Sequence, residues 1–196
     1  MSIRLSVFIA TSLDGFIARK NGELDWLDAA NAIVPEGEDC GYRAFMESID
    51  RLIMGRKTYE KVLSFDEWSY GNKPVIVLSR NKIEIPDRLA ETVFHSSESP
   101  RDLRDRLSKE GAKRLYIDGG MTIQRFLNEG LIDDLTITII PILLGSGIPL
   151  FSNLNKDISL NHIATKTYDF GFIQLTYEVV NNAKDHQLLE ANVTDI

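Results

Sequence analysis

The chain holds a single cysteine, Cys40, among 196 residues. One cysteine cannot form a disulfide within the chain, which excludes a fold held together by internal disulfides. Its scarcity fits a reducing compartment, and we expect a cytoplasmic protein. Because no histidine lies close to it in sequence, we interpret Cys40 as a small buried hydrophobe rather than a nucleophile.

Positive charge is in deficit, and long apolar runs are missing. Lysine and arginine number 22 against 29 aspartates and glutamates, a net charge of −7. A nucleic-acid binder normally shows a basic face, so we expect no nucleic-acid partner. The longest apolar run, LTITIIPILL at 135–144, is about half a membrane span and contains Pro141. We therefore expect no membrane partner.

Short β-type runs alternate with helical patterns through residue 144. The strands are predicted at 3–10, 51–54, 73–80, 114–117 and 135–144, and the helices at 40–49, from 55, at 99–111 and at 122–127. Residues 21–27 are predicted as a loop. This alternation predicts a central mixed, mostly parallel sheet with helices on both faces, and 161–180 adds a C-terminal antiparallel hairpin. We assign one domain to 1–180 and a polar tail to 181–196.

Four predicted strand ends carry distinctive residues, and ligands of open α/β sheets bind beyond such ends. They are ATSLDG after the first strand, GRKTYE after 51–54, LSRN after 75–78 and DGGMT after 114–117. In DGGMT two glycines stand between a strand and a helix, where free N–H groups and the helix dipole favour a phosphate. The same glycines can equally serve as a structural turn.

Three basic residues, Arg56, Lys57 and Arg80, gather at two of these strand ends in an acidic protein. An extra phosphate, such as the 2′-phosphate of NADP, is one explanation, and a solvated basic helix start is the other. The common phosphate motifs are absent. There is no G-x-x-x-x-G-K-[ST], and GSGIPLF at 145–151 has Leu150 in place of the third glycine of G-x-G-x-x-G.

Together these segments resemble a known family. The resemblance rests on SLDGFIA followed by LDWL, on LIMGRKTYE, on VIVLSR, on YIDGG with FLNEGLIDDL, and on IPILLGSGIPLF. In this order and spacing they are similar to the dihydrofolate reductase-like fold. They resemble in particular the reductase domain at the C-terminus of bifunctional riboflavin-biosynthesis deaminase-reductases and its stand-alone bacterial relatives. The similarity runs from about residue 3 to 180.

The resemblance implies NADPH as the cofactor and assigns a role to each matching position. Residues flanking the nicotinamide would be Ala10 and Ile17. Those holding the adenosine-side phosphates would be Gly55, Arg56, Lys57 and Thr58. Those contacting the adenine ribose and its 2′-phosphate would be Leu78, Ser79 and Arg80. Those cradling the diphosphate would be Gly119, Gly120, Met121, Thr122 and Ile123. The resemblance also implies a cis peptide bond between the paired glycines.

The substrate side is less determined by the resemblance. Asp39 falls where the family places a proton-donating acid, although an acidic residue in the first turn of a helix is favoured by the dipole alone. Asp14 is expected either to contact a polar substrate or simply to make the Asp-Gly turn. Trp26 is expected either in the core or over the substrate. Asp25 stands where folate reductases usually carry proline, which weakens the case for dihydrofolate.

The implied function is that of an NADPH-dependent reductase, transferring a hydride to a pterin-like or ribosylaminopyrimidine-like substrate. The deaminase half of the riboflavin enzyme needs a His-Cys-Cys zinc set, and one cysteine with the scattered His95, His162 and His186 supplies none, so no metal is expected. The alternative is a non-catalytic NADP(H)-binding sensor or assembly protein. The resemblance further implies a homodimer. The apolar strand 135–144 is expected either to supply part of its interface, together with the GSGIPLF loop, or simply to be core.

Overall fold

The computed structural model describes residues 3–180, and one eight-stranded sheet organises them. The strands are β1 Arg4–Ser12, β2 Phe16–Ala18, β3 Arg51–Gly55, β4 Val75–Leu78, β5 Val93–Ser96, β6 Arg114–Asp118, β7 Asp134–Ile140, β8 Ile148–Pro149, β9 Leu160–Thr167 and β10 Ile173–Val179. The α-helices are α1 Asp25–Asn31, α2 Tyr42–Glu47, α3 Arg56–Leu63, α4 Pro100–Lys109 and α5 Gly120–Asn128. A short 3₁₀ turn spans Asp87–Leu89.

The large sheet has the order β5-β4-β3-β6-β1-β7-β10-β9. All pairs from β5 through β7 are parallel, and β10 is antiparallel to both β7 and β9. The predicted mixed, mostly parallel sheet with a C-terminal antiparallel hairpin is therefore confirmed. A separate pair of short strands, β2 and β8, lies antiparallel outside the large sheet.

Alternate residues of the central strands feed two cores, one on each face. On β3, Leu52 and Met54 join the core beneath α2 and α3, whereas Ile53 joins the core beneath α4 and α5. Tyr116 and Ile117 of β6 divide in the same way. All five side chains are at most 5% exposed. Because neither face of these strands meets water, their sequences are continuous apolar runs rather than alternating ones.

The predicted helix at 99–111 is confirmed as α4, and its start follows the expected capping pattern. Ser99 Oγ accepts a hydrogen bond from the Asp102 N–H at 3.2 Å, and Pro100 occupies the first helical position. Leu103 and Leu107, one turn apart, are fully buried against the sheet.

Two local predictions are wrong, and one strand was not predicted. Residues 21–27 are not wholly loop, because α1 begins at Asp25 and buries Trp26. The strand predicted over 135–144 ends at Ile140, since Pro141 has no N–H to donate to a ladder. β5 was not predicted; it has only four residues, of which two are exposed.

The C-terminal hairpin is formed by β9 and β10, and Gly171 turns the chain with a φ of 98°. Every residue of β9 is exposed. The polar tail predicted at 181–196 lies outside the described residues. Within residues 3–180 there is no helix long and apolar enough to cross a membrane.

Candidate functional site

A cavity of about 1650 Å³ opens beyond the carboxyl ends of β1, β3, β4 and β6. Its far wall is formed by α1, the segment that follows it, and the start of α2. Single small-molecule pockets usually measure roughly 300–1,000 Å³. The cavity therefore has room for a large ligand together with a second, smaller one. All four strand ends singled out in the sequence meet here or at its rim.

Two helices begin at the cavity, and neither has a side-chain cap. α3 starts after Gly55 and α5 after Gly119, and glycine has no side chain with which to accept from the first-turn N–H groups. The surface helix α4 differs, since Ser99 caps it. Uncapped N–H groups at the positive end of a helix dipole form a ready anion site. These two helix starts fit the phosphates of a dinucleotide.

Glycine at these positions also lets the two helix starts approach each other. An added β-carbon at Gly119 would clash with the Thr58 hydroxyl, and one at Gly55 would stand 2.9 Å from Thr122 Oγ1. Gly119 further adopts a φ of 87°, which a larger side chain adopts only with strain. The expected cis bond between Gly119 and Gly120 is wrong, because the peptide is trans and the positive φ of Gly119 makes the turn.

Gly120 lies under the small β2–β8 sheet. An added β-carbon there would stand 3.0 Å from Ile17 Cδ1 and 3.1 Å from the Pro149 carbonyl oxygen. Ile17 belongs to β2 and Pro149 to β8. The small sheet therefore closes the cavity over the start of α5, where the nicotinamide end of the cofactor is expected.

Most of the cofactor residues proposed from the sequence line the cavity. They are Ala10, Ile17, Gly55, Arg56, Lys57, Thr58, Leu78, Ser79, Arg80, Gly119, Gly120, Met121 and Thr122. Ile123 is different, because it is fully buried in the core between α5 and the sheet. The roles of these residues stay predictions. Residues from all four strand ends nevertheless line the same cavity.

Arg125 also lines this wall, and the sequence analysis missed it. It is exposed and stands one turn after Met121 and Thr122, which makes it a neighbour of the α5 N-terminus on the same helix. Arg56, which starts α3, makes an ion pair with Glu60 at 2.9 Å. The helical spacing from residues 121 and 122 was the signal that could have identified Arg125.

Asp39 lines the cavity, but its carboxylate caps α2. Its two oxygens accept from the Gly41 N–H at 2.8 Å and the Arg43 N–H at 3.0 Å. The Arg43 N–H, followed by the other backbone donors, lowers the pKa of Asp39. An acid held in its ionised form is poorly suited to donate a proton, so this geometry gives the catalytic prediction no support.

Trp26 is 2% exposed and does not reach the cavity surface. It packs behind the wall with Ile140 and Phe172, both of which line the cavity. Of the two positions expected from the sequence, the structure places Trp26 in the core, immediately behind the cavity wall.

Asp14 joins two loops at the rim. Its carboxylate accepts from the Leu144 N–H at 3.2 Å, the Gly145 N–H at 2.7 Å and the Ser12 hydroxyl at 2.5 Å. The Ser12 hydroxyl, and then the two backbone N–H groups, lower its pKa. Substrate contact stays a prediction for Asp14, but its oxygens already have a structural use.

Replacing Asp14 with alanine should lower the melting temperature by a few degrees at neutral pH, because two backbone donors lose their acceptor. A lowered folded-state pKa means that this stabilisation is present above the ordinary carboxyl value and is lost as pH falls through the folded-state value. The difference between Asp14→Ala and the native protein should therefore shrink in acid. Thermal melting of both proteins at pH 7 and pH 3 measures this difference. Identical melting temperatures at pH 7 would contradict a stabilising role for the Asp14 carboxylate.

Asp118, at the end of β6, is a further acid on the cavity wall that the sequence analysis assigned no role. Burial raises the pKa of its carboxyl, even though the Gly119 N–H donates to it at 2.8 Å and the Tyr70 hydroxyl at 3.4 Å. Burial, with the nearby Asp118, also raises the pKa of Tyr42 to about 12. Tyr116, beside them, donates its hydroxyl to the Phe8 carbonyl at 2.8 Å.

Because burial raises the pKa of this carboxyl, it keeps its proton to a higher pH than an exposed aspartate does. In its protonated form a carboxyl can release a proton to a bound molecule. Its neighbours in the cavity are aromatic or hydroxyl-bearing, so the site offers flat apolar walls around one acid. Asp118 directly precedes the glycines of the α5 start. The cavity thus joins two uncapped helix starts to one carboxyl that lies among aromatic side chains.

Comparisons with known proteins agree with this geometry. A family model described as the RibD C-terminal domain matches residues 4–173. Protein YwjB of Bacillus subtilis (strain 168) is 38% identical over 181 residues, covering 90% of this chain and 98% of YwjB. A solved protein from Shewanella sp. PV-4, named provisionally as a riboflavin biosynthesis protein, is 46% identical with a TM-score of 0.85, covering 91% of this chain and 100% of that one.

Dihydrofolate reductase from Enterococcus faecalis, solved in complex with NADP(H), superposes with a TM-score of 0.58. It is 19% identical, and the alignment covers 91% of this chain and 97% of that one. At this identity the likeness is one of fold. It confirms the predicted dihydrofolate reductase-like architecture.

Proposed function

Because the chain belongs to the RibD C-terminal domain family, we propose that it is an NADPH-dependent reductase that transfers a hydride to a pterin-like or ribosylaminopyrimidine-like substrate. The observation that carries the proposal is one cavity in which two uncapped, glycine-lined helix starts adjoin the half-buried Asp118, whose carboxyl pKa is raised by burial. The helix starts suit the phosphates of a dinucleotide, and the carboxyl suits a ring that gains a proton.

In this proposal the chain's own residues bind the cofactor and orient it. The N–H groups at the starts of α3 and α5 hold the phosphates, with Arg56 and Arg125 adding charge, and Arg80 holds the 2′-phosphate. Ile17 covers the nicotinamide end from β2 and excludes water. NADPH, when bound, supplies the hydride.

Asp118 is the proton donor in this proposal. Reduction of a C=N bond, in the ring of a pterin or between the exocyclic nitrogen and the opened sugar of a ribosylaminopyrimidine, adds a hydride to carbon and a proton to nitrogen, and a general acid can deliver that proton. Asp118 fits the role better than Asp39, because burial raises the pKa of the first whereas backbone hydrogen bonds lower the pKa of the second.

An NADPH oxidation assay against pterins, folates and ribosylaminopyrimidines tests the function. We expect substrate-dependent loss of absorbance at the NADPH band for at least one ring class. Tight NADPH binding without oxidation by any ring would favour the alternative, a non-catalytic NADP(H)-binding sensor or assembly protein. Failure to bind NADPH would overturn both.

We also propose a homodimer whose interface includes the predicted segment 135–144 and the GSGIPLF loop, together with β10, on the sheet face that also carries the core beneath α4 and α5. Ile137, Ile139 and Leu175 point to this face and are only half-buried, and Ile173 is 41% exposed. The alternative, that β7 is simply part of the core, is weakened by the partial exposure of these side chains. An apolar face of this kind gains most by meeting an identical one across a twofold axis.

Leu175→Arg should therefore convert a dimer of two 22.1 kDa chains into a monomer. Sedimentation at micromolar concentration measures the mass. Thr176→Arg is the matched control, because residue 176 points to the opposite face of β10 and should leave the dimer intact. A native protein that sediments as a single chain would remove the proposal.

A further inference from the structure

We propose that the reductase's substrate carries no phosphate and presents a neutral or cationic substituent to residues 36–39. This inference rests on the function proposed above and names its substrate class. It follows from how charge is divided between the walls of the cavity. We call the part lined by Phe8, Tyr42, Tyr70, Asp118 and residues 34–40 the substrate end.

The cations of the cavity come from the other walls. Those lining it are Lys20, Arg56, Lys57, Lys61, Arg80 and Arg125. Three belong to α3, one to α5 and one to the turn after β4, and these are the elements that fit the cofactor's phosphates. Lys61 lies with its ammonium 5.7 Å from the ring centre of Phe65, and Lys20 belongs to the loop that follows β2.

The substrate end has the opposite charge. The structure describes all residues from 24 to 42, and none of those that line the cavity is a lysine or arginine. Three acids lie close together in this segment: Glu36, Glu38 and Asp39. A phosphate monoester carries close to two negative charges at neutral pH and needs cations or free N–H groups. Next to these carboxylates it would be repelled.

Cations behind this wall balance it only in part. Arg43 lies 3.9 Å from the Asp39 carboxylate and Lys166 lies 3.9 Å from that of Glu38, with side chains 77% and 58% exposed. Neither cation lines the cavity. The Glu38 carboxylate also accepts from the backbone N–H groups of residues 39 and 40, which holds its negative charge beside the segment that lines the cavity. Glu36 is exposed on the same segment and completes the negative wall.

The walls nearer the sheet favour a flat, uncharged ring. Phe8 stacks on Phe45 with ring centres 4.9 Å apart, and Tyr42 tilts against Phe8 at 5.8 Å. Such aromatic faces gain from contact with a planar heterocycle. The ring is therefore held by apolar contact and by Asp118, and its substituent extends toward the acidic segment.

Two matched pairs of probes test the proposal: dihydroneopterin with its 3′-phosphate, and 5-amino-6-(ribosylamino)uracil with its 5′-phosphate. Each pair differs only in the phosphate. Calorimetric titration of the NADP⁺ complex should show the unphosphorylated member of at least one pair binding about tenfold or more tightly than its phosphate ester. Equal or tighter binding of the phosphate ester, or no binding of any probe, would overturn the proposal.

Glu36→Lys reverses one charge of the wall, and Glu36→Gln is the isosteric control. The lysine variant should raise the relative affinity for the phosphorylated probe severalfold, with glutamine in between, while NADPH affinity stays unchanged. An unaltered probe preference in Glu36→Lys would count against the acidic wall. NADPH binding, measured separately, reports on the reductase function itself, so a protein that binds NADPH yet prefers phosphorylated rings refutes only this inference.

Discussion

Arg80→Ala should weaken NADPH binding about tenfold or more and leave NADH binding nearly unchanged. Arg80 follows β4 and lines the cavity where the adenine ribose is expected. A charge-assisted hydrogen bond contributes about 1.5–3 kcal/mol, and about 1.4 kcal/mol is a factor of ten in affinity. NADH lacks the 2′-phosphate and so loses little. Fluorescence titration with both cofactors measures the two constants.

Arg125→Ala is the matched control for Arg80→Ala. Arg125 lies on α5, whose N-terminus is proposed to hold the diphosphate, a group that both cofactors share. Its loss should weaken NADPH and NADH by similar factors. Equal losses for both cofactors in Arg80→Ala would refute the assignment of the 2′-phosphate to Arg80.

Asp118→Asn should lower kcat by about 100-fold or more, the usual contribution of a positioned general acid. Asparagine keeps the shape of the side chain and the acceptor for the Gly119 N–H, but it has no proton to give. NADPH affinity should change little. In the native enzyme the rate should fall as pH rises through the raised pKa of Asp118, because only its protonated form donates.

The same substitution should raise stability at alkaline pH. Burial raises the folded-state pKa of Asp118 above the ordinary 3.8, so the folded protein binds this proton more tightly than the unfolded chain does. Stability is then lost as pH rises from the unfolded value through the folded one. Asp118→Asn removes that loss and should melt above the native protein at pH 8 but not at pH 4. Full activity in the variant would exclude Asp118 as the donor.

Most of the fold and of the cofactor wall could be predicted from the sequence. Buried strands such as β3 and β6 appear as short apolar runs, and the helices that follow them begin at glycines that the sequence marks. The sequence identified the glycines at 119 and 120 as a helix start that could bind a phosphate, but it could not show the packing that requires a glycine there. Gly119 is required by its positive φ and by Thr58, whose position depends on a strand some sixty residues earlier in the chain.

The acid was harder to predict. Asp39 and Asp118 look alike in sequence, and what separates them is environment: one caps α2 at the rim, the other is buried beside Tyr70 and Tyr116. A pKa shift depends on burial and hydrogen bonds that only the assembled sheet supplies. α1 was missed for a related reason, because tertiary burial of Trp26 rather than local pattern stabilises a helix of seven residues.

The position of β1 in the sheet affects how the protein is made. Of the ten strands described, β1 leaves the ribosome first, yet its neighbours in the sheet are β6 and β7, which begin at Arg114 and Asp134. More than a hundred residues must therefore be synthesised before the first strand can pair. Pairing of such high contact order is slow, and unpaired apolar strands are prone to aggregate. During translation the run IRLSVFIA therefore stays without its sheet partners until β6 emerges, and a fragment lacking β6 and β7 should fail to fold.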